Sequence, residues 1–183
     1  LGVKTSDFYP AETSVYSSFI KRNKESLQGI SIQNSNVSLK NTKHKLTGDL
    51  MFTHFGVSGP VIFHLSETIY HELKKGNHII EVSLANVEES VLEKNLEAID
   101  PKIHILKFLE QYTIKRLARF ILTYLNMENI KIGSMSQKEK AKIMDILYRF
   151  NVKIDSVEDC SKAFVNGGGV LVNELNPKSF ESK

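Results

Sequence analysis

The chain has 183 residues, of which 41% are hydrophobic and 25% charged, and its formal net charge is +3. This composition excludes a disordered or low-complexity protein, and no apolar run approaches the roughly 20 residues that cross a bilayer. The lone cysteine, Cys160, excludes an internal disulfide and fits a reducing cytoplasm.

Residues Leu1 to Lys24 read as irregular, with Tyr9-Pro10 favouring an extended or turn conformation. Leu1 stands where an initiator Met would, and no signal-peptide pattern follows, so the N-terminus reads as a boundary inside a longer protein. Leu27, Ile30 and Ile32 flanking Gly29, then Val37 and Leu39 alternating with polar residues, predict strands. Asn41 to Lys45 reads as a hairpin connection, and Gly48 to Thr53 as the returning strand. At Ser58 to Pro60 the pattern turns helical. Ser58 is a candidate cap, Pro60 suits a first turn, and Ile62, Leu65, Ile69 and Leu73 recur at spacings of 3 and 4. Ile79 to Leu84 predicts one more strand.

From Asn86 onward the pattern is helical. Asn86 with Glu89 and Ser136 with Glu139 both have capping-box spacing. Stripes at Leu92, Leu96 and Ile99, at 103–111, at 114–126 and at Ile143, Ile146, Leu147 and Phe150 predict a small bundle. Strands return at Val152 and Ile154, at Ala163 to Val165 and at Val170 to Val172. The fold class is therefore α+β. A small antiparallel β-barrel-like subdomain (residues 1–85 and 151–183) accompanies a helical-bundle subdomain (residues 86–150).

Two stretches carry chemistry. Thr53 to Pro60 joins a strand to a helix through Gly56 and Gly59, and the free N–H groups of such a helix start can hold an anion or a ring edge. Asn166-Gly167-Gly168-Gly169-Val170 follows an apolar segment, where glycines let backbone approach a ligand; the same run also reads as a plain turn. It is neither a G-x-G-x-x-G fingerprint nor a P-loop. His64 and His71 are seven apart on one predicted helix, too far for one metal ion, and no paired-cysteine spacing exists, so no metal is expected. Arginine occurs only at Arg22, Arg116, Arg119 and Arg149, the lysines are spread along an Asn-rich text, and the positive balance reads as background composition before it reads as a nucleic-acid surface.

Gly48 to Pro60, Ala163 to Val170 and Glu174 to Lys183 together resemble the bacterial flavoproteins called NAD(FAD)-utilising dehydrogenases or aminoacetone-oxidase-like proteins, and Leu27 to Ile32 matches in order. Asn166 departs from the family's usual Thr. The resemblance implies an insertion from a Rossmann-like FAD domain, serving as the cap on the substrate side of a FAD-dependent oxidoreductase and inactive alone. It implies FAD as the parent protein's cofactor, approached by Asn166, Gly167, Gly168, Gly169 and Val170. It implies a small-molecule substrate met by His54, Gly56, Ser58 and Gly59, and a parent FAD domain in the same chain as partner. The alternatives are a free-standing nucleic-acid-binding module or a structural interaction domain.

Overall fold

A computed structural model describes residues 2–182. The N-terminal segment is not irregular. It holds β1 (Thr5–Ala11), β2 (Val15–Tyr16) and two short helices, α1 (Ser18–Arg22) and α2 (Lys24–Leu27). Local pattern could not reveal β1, because its partner is β9 (Val165–Val170), far along the chain. Ser17 fixes the start of α1: its hydroxyl accepts from the Ile20 N–H at 3.4 Å and donates to the Lys153 carbonyl at 2.7 Å.

β3 (Ser31–Leu39) and β4 (Lys45–Phe52) form the expected hairpin, turned by Asn41 at φ 61°. Asn tolerates that left-handed conformation better than most residues. β5 (Gly56–Ser58) follows, then α3 (Pro60–Lys74) and β6 (Ile79–Val82). Pro60 does occupy the first helical position, but the cap is Gly59, and Ser58 is the last residue of β5.

The helical stretch comprises α4 (Glu89–Ala98), α5 (Ile105–Leu109), α6 (Lys115–Tyr124) and α7 (Gln137–Tyr148). The Ser136–Glu139 capping box forms in full, each residue's backbone N–H bonded to the other's side chain. The Asn86–Glu89 pair does not, since Glu88 precedes α4 as its cap and offers no side-chain bond. The chain before it is tied to the end of α7, with the Leu84 N–H donating to the Leu147 carbonyl at 2.7 Å. Phe150 belongs to no helix stripe; it opens β7 (Phe150–Lys153), which precedes β8 (Ser156–Val157).

The main sheet runs β7-β6-β3-β4-β5-β2-β8, antiparallel throughout. Its two edge strands, β7 and β8, are neighbours in sequence, separated only by Ile154 and Asp155. The Ile154 N–H donates to the His78 carbonyl and the Asp155 N–H to the Tyr16 carbonyl, so this link closes the curl without a continuous ladder. The result is an α+β architecture with a barrel-like sheet. One continuous core joins it to the helices: Leu50, Phe52 and Val57 from strands, Leu27 from α2, and Leu117 and Ile121 from α6 are all fully buried. Phe19, Phe120, Tyr124 and Phe150 mesh at the seam with ring centroids 5.7–6.4 Å apart. No helix among the described residues is long and apolar enough to cross a membrane.

Candidate functional site around helix α3

α3 buries Ile62, Leu65 and Ile69 against the sheet and presents its other side to the β1–β9 ribbon. Both sequence motifs therefore meet this one helix, the 53–60 turn at its start and the glycine run alongside.

The turn is built by Thr53. Its hydroxyl accepts from the Gly56 N–H at 3.0 Å and the Phe55 N–H at 3.3 Å, while its own N–H donates to the Gly56 carbonyl at 2.9 Å. β2 passes so close that a Cβ on Gly56 would lie 1.9 Å from the Val15 carbonyl oxygen. Gly59 sits at φ 104°, and a Cβ there would lie 2.6 Å from the Asp49 carbonyl oxygen. These two glycines are thus demanded by packing. Ser58 is buried and its hydroxyl accepts from Ser14 Oγ at 2.9 Å, so it neither caps α3 nor faces outward. Of the four residues expected here, only His54 projects an exposed side chain, set edge-on to Phe55 at 4.9 Å.

The glycine run lies somewhere other than the sequence implied. It does not follow a buried strand; it is itself most of β9, and its flanks Phe164 and Val165 are 76% and 46% exposed. Across from it, β1 carries a bulge at Asp7–Phe8. A Cβ on Gly167 would fall 2.2 Å from the Tyr9 ring, and one on Gly168 would fall 2.3 Å from the Asp7 carbonyl oxygen at φ 95°. Asn166 donates its side-chain amide to the Cys160 carbonyl at 3.2 Å. Val170, the last residue of the run, is half exposed opposite Thr5.

Sequence reasoning missed the cluster that these glycines admit. Tyr9 stacks on Tyr70 at 5.5 Å, His71 stands edge-on to both rings, and Lys74 lies 4.3 Å above the Tyr70 ring. The Tyr9 hydroxyl donates to Glu67 at 2.7 Å, and that bond to a carboxylate raises the phenol above its ordinary value. The i, i+3 and i+4 spacing of Glu67, Tyr70, His71 and Lys74 was the available signal, and it was hidden because the fifth member comes from β1.

The segment between β1 and β2 ties ribbon to turn. The Thr13 N–H donates to Ser66 Oγ at 3.1 Å, Ser14 reaches Ser58, and the Phe164 N–H donates to the Glu12 carbonyl. The Thr13 hydroxyl is buried beside them without a hydrogen-bond partner among the described residues.

Comparison with known proteins places this arrangement. A ribosomal RNA dihydrouridine synthase of Haemophilus influenzae is 25% identical over 153 residues, covering 81% of this chain and 37% of that protein. The chain thus spans little more than a third of the length of that protein. Residues 9–165, from the Tyr9 stack to the first residue of β9, match the family described as HI0933-like protein barrel and H2TH domain, and the chain belongs to that family.

Proposed function

We propose that the chain is the substrate-side insert of a FAD-dependent oxidoreductase that acts on ribosomal RNA. The observation that carries this reading is the similarity, over most of the chain, to a protein whose name joins ribosomal RNA to dihydrouridine. Dihydrouridine differs from uridine by two hydrogens across a ring double bond, so making it consumes two electrons, and flavins supply such chemistry. RNA replaces the small molecule that the flavoprotein resemblance alone suggested.

The sides of the glycine run where a Cβ would point are largely taken up by the fold itself, which supports placing the main cofactor contacts elsewhere. The bare sides of Gly167 and Gly168 are filled by Tyr9 and Asp7, and only Gly169 keeps a face that meets nothing closer than the Phe8 ring at 3.7 Å. Cofactor binding is therefore assigned to a parent FAD domain of the same polypeptide, and these residues shape the stem that joins it. The insert's own part is positional: Gly56, Ser58 and Gly59 fix the turn, and His54 is the side chain it offers outward.

The test is genetic and spectroscopic. The full-length protein should purify with a visible flavin spectrum, and the 183-residue chain alone should be colourless. Ribosomal RNA from cells lacking the gene should lose a dihydrouridine that the intact gene restores. Unchanged dihydrouridine content, or stoichiometric flavin on the isolated chain, would overturn the reading.

A further inference from the structure

The arginines are distributed with a bias that composition conceals. Arg149 is neutralised by two carboxylates, bonding Glu89 through both terminal nitrogens and Asp145 through Nε. Lys40, Lys75 and Lys162 are likewise paired, with Glu81, Glu72 and Glu158. The other three arginines lie on α1 and α6. Arg116 and Arg119, with Lys115, line an open cleft of about 440 Å³ where α6 packs against α2, whose share of the lining is Glu25 and Ser26. Among the described residues, none of these three cations has a carboxylate oxygen within 4.0 Å.

Lys24 precedes Glu25, and Lys21 and Arg22 end α1, all three exposed. Against these six cations stand Glu25 in the cleft and Asp155, which acts on Arg22. This one region therefore carries more positive charge than the chain's net +3, and the remainder is slightly acidic.

The local sequence accepts an electrostatic cost to achieve this. Lys115 and Arg119 are like charges at i and i+4, an unfavourable spacing on a helix. All three cations sit in the first turns of α6, where the helix dipole disfavours positive charge and no acidic residue compensates. Arg116 is also held in place, donating to the Gln28 carbonyl at 2.5 Å. An open groove lined by three unpaired cations suits a nucleic-acid strand, whose phosphates take the cations.

We propose that the α2–α6 cleft binds the phosphodiester backbone of RNA, with Lys115, Arg116 and Arg119 contacting phosphates. This deepens the proposed function and rests on its choice of RNA as substrate.

The experiment measures binding of the chain to a fluorescein-labelled single-stranded RNA by anisotropy across a salt series. Lys115→Gln with Arg119→Gln is the main variant, since neither side chain makes a bond that the fold needs. It should melt as the parent does, bind more than ten-fold more weakly at low salt, and show a log–log salt slope shallower by about 1.5, the loss of two phosphate contacts. Lys43→Gln with Lys45→Gln, on the β3–β4 hairpin, should bind like the parent.

No binding of RNA by the parent chain, or equal losses from the cleft and hairpin variants, would overturn the proposal. So would cleft-dependent binding to phosphatidylglycerol vesicles without binding to RNA. The two readings fail separately: intact dihydrouridine in the deletion strain removes the assigned reaction, whereas a cleft that RNA ignores removes only this surface.

Discussion

The main sheet and the β1–β9 ribbon are both antiparallel, yet they are stabilised differently. In the sheet, Val37, Leu50, Phe52, Val57, Ile80 and Val152 are removed from water almost entirely, and apolar burial is the dominant favourable term. In the ribbon, Phe8 is 69% exposed and Val165 and Val170 nearly half, so little apolar burial accompanies the pairing. What holds the ribbon is backbone bonding, the Tyr9 stack against α3 and glycines that leave room for both. Strand geometry is thus shared, while tolerance to change is not.

The largest expected loss comes from the sheet's seam with the helices. Phe150→Ala would empty a fully buried position ringed by Phe19, Phe120 and Tyr124, at a cost of about 3–5 kcal/mol in urea denaturation. A loss under about 1 kcal/mol would show that the two parts do not share a core. Gly56→Ala should follow, since its Cβ must push β2 from β5; we expect about 1–3 kcal/mol.

A smaller effect belongs to the link that closes the curl. Hydrogen bonding from Ser18 holds the Asp155 carboxyl below its ordinary value near 3.8. A depressed folded-state value contributes stability that is present above the unfolded value and lost as pH falls through the folded one. Asp155 is exposed, so solvent screening keeps this below about 1 kcal/mol. Asp155→Asn should lower the melting temperature slightly at pH 6, and its difference from the parent should vanish in acid below the folded value. A difference that persists there would assign the effect to packing.

The smallest global effect is expected in the ribbon. Gly168→Ala combines a strained φ of 95° with a contact 2.3 Å from the Asp7 carbonyl. It should open β1 from β9 and accelerate amide exchange there, while changing global stability by less than about 0.5 kcal/mol, since the ribbon lies outside the core. Concerted loss of the whole fold would erase the distinction between the two regions.

Features encoded within a few residues were legible in the sequence: Pro60 opening α3, the Ser136–Glu139 box, the β3–β4 hairpin. Features that depend on a distant partner were not. β1 is a strand only because β9 lies beside it. Ser58 has the look of a cap, but Ser14 engages its hydroxyl, and Asn86 stands two residues before the actual cap, Glu88. The glycine run was noticed as a signal, but its cause, the Tyr9 ring and the Asp7 carbonyl, arrives from the other end of the chain. Arg116 and Arg119 merge into a diffuse background in the sequence because the cleft they line is made only by the packing of α2 on α6.

The pairing of β1 with β9 also has a kinetic meaning. Ser6 and Gly169, hydrogen-bonded across the ribbon, are 163 positions apart in sequence. Closing a loop that long costs only about 0.6 kcal/mol more than closing one half its length, but the search for that contact gains nothing until the intervening chain has folded and brought both ends together. High sequence separation delays such contacts. The ribbon should therefore gain amide protection last in a refolding experiment, after the hairpin and the helices are in place.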